Sequence, residues 1–164
     1  MGRRTTSREK STGYILAWLL LSVFCLSAVA TPEGVKDTGL VLTNEKGENV
    51  RLAEVVDSKA TLLYFWATWC KPCRKIEKSV SAFARKYKDQ IQVLGINVGG
   101  VDSPEDVRQY RQRYRIAYPL LLDRNNETVE FYRIFAIPDF ILLDRMGEIH
   151  YRGTTPPAKP EGVL

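Results

Sequence analysis

Hydrophobic and polar residues follow two different periods along this chain, and the changes of period divide it into elements. The segment LVLTNEKGENVRLAEV, residues 40–55, alternates apolar and polar positions around a Lys-Gly turn, which predicts a β-hairpin. Two continuous apolar runs follow, TLLYFWA at residues 61–67 and IQVLGINV at residues 91–98. Such runs are typical of strands buried on both faces of a sheet.

Helical spacing appears between and after these two predicted strands. After Cys73, apolar residues recur at intervals of three and four, which predicts an amphipathic helix with the stripe Ile76, Val80, Phe83, Ala84 and Tyr87. A second helix is predicted from Ser103 to about Tyr114, because Ser103 can cap it and Pro104 suits its first turn.

The remaining segments complete an α/β pattern. YPLLLD at residues 118–123 predicts a short extended piece, residues 128–134 a short helix, and DFILLD at residues 139–144 a strand that leads through a turn into EIHYRG. Strands that alternate with helices predict a mixed central sheet with helices on both faces. We expect one domain over residues 31–155 and an irregular, proline-rich tail over residues 156–164.

Residues 1–30 have the pattern of an export signal. A basic segment precedes the uncharged run YILAWLLLSVFCLSAVA, residues 14–30, which ends in Ala28-Val29-Ala30. This predicts either a signal peptide cleaved after Ala30 or an uncleaved anchor that attaches the protein to a membrane through residues 14–30. Both alternatives place the rest of the chain in the cell envelope or periplasm.

Composition and charge indicate a globular protein and argue against one class of function, the binding of nucleic acid. Hydrophobic residues make up 45% and charged residues 26% of the chain, which is ordinary for a globular protein. Most of the formal net charge of +5 comes from the leader, which has the basic residues Arg3, Arg4, Arg8 and Lys10 but only one acidic residue, Glu9. The pattern therefore predicts no binding to nucleic acid, which needs clustered cations on one face.

Two of the three cysteines lie in FWATWCKPC, residues 65–73. Cys70 and Cys73 fall where a buried strand ends and a helix begins, and the free N–H groups and partial positive charge of a helix start stabilise a thiolate. Cys70 is nearer the exposed helix start, so we expect it to attack a partner's disulfide and Cys73 to resolve the mixed disulfide. Pro72 fixes the backbone between them, and the charge of Lys71 favours the Cys70 thiolate.

Other uses of the cysteine pair are weaker. A structural disulfide would close a two-residue loop and stabilise the fold little. A zinc site needs about four ligands, and the chain has one His and no second Cys pair, so no metal and no other bound cofactor is expected. A Cu(I)-binding metallochaperone stays the alternative function, because thiolates suit that ion.

The motif FWATWCKPC, followed by a helix and later by IPDFILLDRMGEI, resembles the thioredoxin superfamily, and most closely its exported TlpA/ResA-like thiol-disulfide oxidoreductases. The resemblance covers roughly residues 35–153. It implies a three-layer thioredoxin-like fold, protein disulfides as substrates and an unknown electron donor in the membrane or envelope. It also implies reduction as the direction, as in keeping apocytochrome c cysteines ready for haem attachment.

The resemblance also assigns residues to a substrate surface. It implies that the Ile137-Pro138 peptide bond is cis, lies opposite Cys70 and exposes backbone that pairs with the substrate chain. Trp69 is expected to line this surface, whereas Trp66 is expected in the core.

The chain departs from the family pattern at several positions. Asp139 replaces the Thr that commonly follows the proline, and its carboxylate would disfavour the Cys70 thiolate. Tyr64 replaces the buried Asp of classical thioredoxins, which leaves no obvious proton carrier. Ile76 stands where the subgroup often has Glu, and Glu77, one step on, is expected to face another way. The family's C-terminal helix is expected to be absent.

Overall fold

A seven-stranded mixed sheet forms the centre of the structure, a computed structural model that describes residues 1–2, 39–56 and 59–163. Most of the predicted leader, with its cleavage site and anchor segment, lies outside the described residues. Within the described part of the chain no helix has the length and apolar character needed to cross a membrane. Residues 39–56 and 59–163 belong to one compact unit.

The strands run partly parallel and partly antiparallel. In chain order they are β1 (Val41–Asn44), β2 (Asn49–Arg51), β3 (Ala60–Trp66), β4 (Ile91–Asn97), β5 (Leu120–Leu122), β6 (Asp139–Leu143) and β7 (Ile149–Gly153). Their order across the sheet is β2-β1-β5-β4-β3-β6-β7. The three central strands β5, β4 and β3 are parallel, and the other pairings are antiparallel. The predicted hairpin is the β1–β2 pair.

The α-helices of the described residues are α1 (Leu52–Val55), α2 (Lys71–Lys86), α3 (Pro104–Tyr114) and α4 (Glu127–Phe131). Ser103 caps α3 as expected: its hydroxyl accepts from the Asp106 N–H, and the Asp106 carboxylate accepts from the Ser103 N–H. After β7 the described residues contain one 3₁₀ turn (Pro160–Val163) and no further α-helix. This turn lies in the tail expected to be irregular, and Glu161 accepts a hydrogen bond from the Tyr87 hydroxyl at 3.1 Å.

Strand β3 separates two hydrophobic clusters, one on each face of the sheet. Every residue of β3 is buried, which agrees with its uninterrupted apolar sequence. Alternate side chains of this strand enter opposite clusters: Tyr64 and Trp66 pack beneath α2 and α3, while Leu63 and Phe65 pack on the side of α1 and the Tyr132 segment. The result is the three-layer fold expected from the sequence.

Close packing explains why Gly95 has no side chain. A Cβ atom at this position of β4 would lie 2.5 Å from Leu120 Cδ2 and 3.0 Å from Trp66 Nε1. Only glycine lets β4 pass beneath the Trp66 indole, which itself packs on Tyr110 at 4.4 Å between ring centroids.

The strand directions bring several loops together where the strands end or begin. We call this boundary of the sheet, which crosses the strands, an edge. The carboxyl ends of the parallel strands β3, β4 and β5 share this edge. Strand β6 begins there too, because it is antiparallel to β3 and pairs Asp139 with Phe65. Ligands of open α/β sheets bind at the carboxyl ends of the parallel strands, and the cysteine motif follows β3 at this edge.

Candidate active site

Cys70 and Cys73 form a disulfide at the start of α2. Cys70 is the N-cap residue of this helix, and its sulfur accepts a hydrogen bond from the Cys73 N–H at 3.1 Å. The helix start therefore directs a free N–H group at the Cys70 sulfur, as expected from the sequence. Cys70 is 3% exposed and Cys73 is fully buried. Cys70 is therefore the more accessible of the two, as expected from the sequence, although the difference is small.

The residues around the pair lie on the surface. Trp69, which precedes Cys70, is 55% exposed, while Trp66 is fully buried in the core. Lys71 and Pro72 are exposed in the first turn of α2. The side chains flanking Cys70 are thus open to solvent, and the sulfur sits just beneath them.

A hydrogen-bond network not visible in the sequence pattern holds the turn before Cys70. The Asp102 carboxylate, almost fully buried, accepts from the Thr68 N–H at 2.8 Å and from the Thr68 hydroxyl at 2.6 Å. It also accepts from the Asn97 side-chain amide at 2.7 Å. Asp102 lies between β4 and α3, so it ties two loops of the same sheet edge together and positions the backbone that leads into Cys70.

The segment before β6 forms the other side of the site. The Ile137-Pro138 peptide bond is cis, as the family resemblance implies. Ile137 is half-buried and lines an apolar surface groove together with Trp69, Ile134 and Phe135. Phe135 is 91% exposed. The structure therefore brings Trp69 and Ile137 into one groove at the edge where Cys70 lies.

Asp139 is held in an ion pair. Its carboxylate accepts from Arg152 on β7 at 2.8 Å and 3.1 Å. Arg152 also donates to the carbonyl oxygens of Tyr132 and Arg133, both at 2.9 Å. The opposition of Asp139 to a Cys70 thiolate, expected from the sequence, is therefore reduced by a guanidinium that neutralises the carboxylate.

A buried carboxyl group lies below Cys73. Glu77 is 2% exposed and follows Cys73 by four residues on α2, which places both on one helix face. Tyr118 donates a short hydrogen bond to Glu77 Oε1, and Tyr110 donates to Oε2 at 3.4 Å. Burial raises the pKa of Glu77, while these two hydrogen bonds oppose the rise.

The sequence pattern gives Glu77 no role, because Ile76 occupies the position where the subgroup often has Glu, whereas the structure places Glu77 in the buried region below Cys73. Tyr64 lies nearby and donates to the Cys73 carbonyl oxygen at 3.4 Å. Burial, and then the charge of Glu77, raise the pKa of the Tyr64 hydroxyl far above its usual range, so this group stays neutral. The period-four spacing from Cys73 to Glu77 is the signal that could have identified this residue.

One cluster of possible metal ligands occurs among the described residues. Asp144 and Glu148 in the turn between β6 and β7, together with His150 in β7, bring ligand atoms within 4.8 Å of one another. Asp144 follows Leu143, which pairs with Thr61 near the start of β3. The cluster is therefore at the opposite edge of the sheet from Cys70 and is not part of the cysteine site.

Comparison with known proteins agrees with this geometry. The model of the AhpC/TSA family matches residues 35–152. The thiol-disulfide oxidoreductase ResA of Geobacillus kaustophilus is 28% identical over 135 residues, which cover 82% of this chain and 76% of that protein. The thioredoxin-like protein YneN of Bacillus subtilis is 29% identical over 133 residues, covering 80% of this chain and 77% of that protein.

Solved structures show the same fold. A thiol-disulfide oxidoreductase from Bacteroides fragilis is similar with a TM-score of 0.65 and 28% sequence identity, covering 76% of this chain and 96% of that chain. The thioredoxin-like fold and the resemblance to ResA-type proteins, both expected from the cysteine motif, are confirmed.

Proposed function

The chain belongs to the AhpC/TSA family and is a thiol-disulfide oxidoreductase, and we propose that it is exported and reduces protein disulfides with Cys70 and Cys73. The observation that carries the assignment of roles is the hydrogen bond from the Cys73 N–H to the Cys70 sulfur. It supports Cys70 as the nucleophile, because the same N–H and the partial charge of α2 would stabilise its thiolate.

The proposed reaction has two exchange steps. In the reduced protein the Cys70 thiolate attacks one sulfur of the substrate disulfide, forms a mixed disulfide and releases the other substrate sulfur as a thiolate. Cys73 then loses its proton and attacks the Cys70 sulfur, which releases the second substrate thiolate. Two electrons pass to the substrate, and the protein ends with the Cys70–Cys73 disulfide.

Glu77 is proposed as the group that accepts the proton of Cys73. Its burial and its position four residues after Cys73 support this role, because the resolving thiol is also buried and must ionise before it attacks. Tyr118 and Tyr110 would hold the carboxylate in place. Trp69, Ile137 and Pro138 are proposed to contact the substrate chain, and the shared groove of Trp69 and Ile137 supports this.

The proposal also covers the direction of electron transfer, the location of the protein and its partners. We propose reduction of disulfides in exported proteins, such as apocytochrome c before haem attachment, with a membrane or envelope protein as electron donor. Export in this proposal depends on the leader over residues 1–30 and places the protein in the cell envelope or periplasm. N-terminal sequencing of the exported protein would distinguish a cleaved signal peptide, which leaves Thr31 first, from an anchor.

Two cysteine variants test the proposed roles. Cys70→Ser should abolish reduction of insulin disulfides, whereas Cys73→Ser should accumulate a mixed disulfide between Cys70 and the substrate. Cys25→Ser, which changes the third cysteine, is the control and should keep full activity. Unchanged insulin reduction by Cys70→Ser would refute the proposal, and stoichiometric Cu(I) binding without exchange would support the metallochaperone alternative.

A redox titration of the pair tests the direction. A midpoint potential near about −270 mV, as in thioredoxin, supports a reductant, whereas a value near about −120 mV would indicate an oxidant.

A further inference from the structure

A cluster of cations borders the cysteine site on the side of α2 and α3. Its members are exposed, and we call them the basic face: Lys71, Arg74, Lys75, Lys78, Arg113 and Arg115. Arg74, Lys75, Lys78, Arg113 and Arg115 line one surface depression together with Glu77 and Tyr114. Lys71 precedes Lys75 by one helical turn and therefore lies on the same side of α2.

The cations of the basic face form no ion pair with any residue that the structure describes. The neighbouring arginines of α3 differ in this respect, because Arg108 pairs with Glu105 at 2.6 Å and Arg111 with Glu45 at 2.5 Å. Within α2 the one carboxylate is Glu77, which is buried and bonded to tyrosines. Within the described fold the six cations of the basic face are therefore not held in ion pairs, and the face has a net positive charge.

Helix stability does not explain this arrangement. Lys71, Arg74 and Lys75 stand in the first turns of α2, where the helix dipole disfavours positive charge. The pairs Lys71 with Lys75 and Arg74 with Lys78 are four residues apart, a spacing at which like charges repel. An arrangement that opposes the stability of its own helix points to a role in binding.

The basic face is continuous with the cysteine site. Lys71 follows Cys70 directly, and Arg74 donates to the Thr68 carbonyl oxygen at 2.9 Å, two residues before Cys70. A second depression, which shares Arg74 and Arg113 with the first, is lined by Thr68 and by one carboxylate, Asp106. Asp106 accepts hydrogen bonds from Ser103 as a helix cap, and it forms no ion pair with a cation among the described residues.

We propose that the basic face is the docking surface for an acidic protein segment whose disulfide reacts at Cys70. The inference rests on the proposed function and adds the charge of the partner to it. Complementary charges steer a partner toward the site and raise the rate of encounter. The apolar groove of Trp69 and Ile137 lies on the other side, so the fitting segment has acidic residues on one side of its cysteine and apolar residues on the other.

A protein segment fits this surface better than an anionic lipid surface does. Because Lys71 and Arg74 adjoin Cys70, a membrane lying on the basic face would cover the approach to the sulfur. An acidic segment instead brings its own cysteine to the site as it binds.

Matched substrates provide the test. The reduced full-length protein is mixed with two disulfide-bridged peptides that differ only in carrying Glu or Lys beside the cysteines, and with uncharged hydroxyethyl disulfide. The readout is the second-order rate constant for each peptide divided by that for hydroxyethyl disulfide, which cancels changes in the reactivity of Cys70 itself. We expect a higher ratio for the acidic peptide, and we expect it to fall as ionic strength rises.

Two charge-reversal variants locate the effect. Lys75→Glu combined with Lys78→Glu should lower the acidic-peptide ratio by about tenfold or more, since steering by charge contributes on that scale. Arg85→Glu combined with Lys88→Glu makes the same change in net charge at and just beyond the far end of α2, away from Cys70, and should leave the ratio unchanged. Both control residues are exposed.

Three outcomes would overturn the proposal. Equal ratios for the acidic and basic peptides would show that the protein has no preference for acidic substrates. Equal effects of the two double variants would show that the preference comes from the net charge of the protein and not from the basic face. Binding of the protein to anionic vesicles together with equal peptide ratios would assign the basic face to lipid. Absence of exchange with hydroxyethyl disulfide is a separate result, because it would overturn the proposed function along with the docking surface.

Discussion

At the scale of single residues, Glu77 has an environment unlike that of an ordinary surface carboxylate. It is buried between α2 and two tyrosine hydroxyls, and this burial raises its pKa. A carboxyl whose pKa is higher in the folded than in the unfolded state binds more protons when folded. Its contribution to stability is therefore complete below the unfolded-state pKa and is lost as the pH rises through the folded-state value.

Replacing Glu77 by Gln should remove this dependence on pH. We expect the free energy of unfolding of the wild type to fall, relative to that of Glu77→Gln, as the pH rises from about 4 toward neutrality. Urea unfolding of both proteins across this range measures the difference. Glu54→Gln, at an exposed carboxylate, is the control and should follow the wild type. Parallel curves for wild type and Glu77→Gln would contradict the assignment.

At the scale of elements, the loops after β3 and β4 form one unit through Asp102. Its carboxylate accepts hydrogen bonds from the part-buried Thr68 backbone and hydroxyl and from the buried Asn97 amide. Asp102→Ala should lower the free energy of unfolding by roughly 2 kcal/mol or more, because it leaves buried donors without partners. Urea unfolding measures the loss, and Asp89→Ala, at an exposed position, should change stability much less.

The same substitution separates positioning from chemistry. If Asp102 positions the turn before Cys70, Asp102→Ala should also slow exchange with hydroxyethyl disulfide under conditions where the variant is fully folded. A variant that loses stability but keeps the wild-type rate would show that Asp102 supports the fold alone.

At the scale of the whole molecule, Arg152 connects the last strand with the segment before the cis peptide bond. It donates to two carbonyl oxygens of that segment and pairs with Asp139. Arg152→Ala should therefore increase the rate of amide hydrogen exchange over residues 132–137 and lower stability by about 1–3 kcal/mol, since hydrogen bonds to charged groups contribute on that scale. Arg145→Ala, in the exposed β6–β7 turn, is the control.

Local signals explain which parts of the architecture could be predicted. The strands β3, β4 and β6 are continuous apolar runs, and α3 begins with a Ser-Pro cap, so each is identified by adjacent residues. The motif likewise predicts that a helix begins at the cysteine pair, as α2 does. Boundaries were less accurate: the helix expected at residues 128–134 is α4, Glu127–Phe131.

The contacts that surround the cysteines could not be predicted, because they join residues far apart in the chain. Asp102 is 34 residues from Thr68, and Tyr118 is 41 residues from Glu77. Periodicity reports which face of an element is buried but not which side chain of another element meets it. The ion pair that reduces the effect of Asp139 on Cys70 is of the same kind, since it depends on the pairing of β6 with β7.

The cap at the start of α2 decides how a mutant of the nucleophile should be made. The Cys70 sulfur accepts the N–H of the third helical residue, and a serine hydroxyl accepts the same bond as a preferred N-cap. An alanine side chain cannot accept this bond. Cys70→Ala therefore loses the helix cap, which lowers stability by about 1 kcal/mol, as well as the thiol. Activity lost in Cys70→Ser therefore reports the sulfur alone, whereas activity lost in Cys70→Ala mixes chemistry with fraying of the helix.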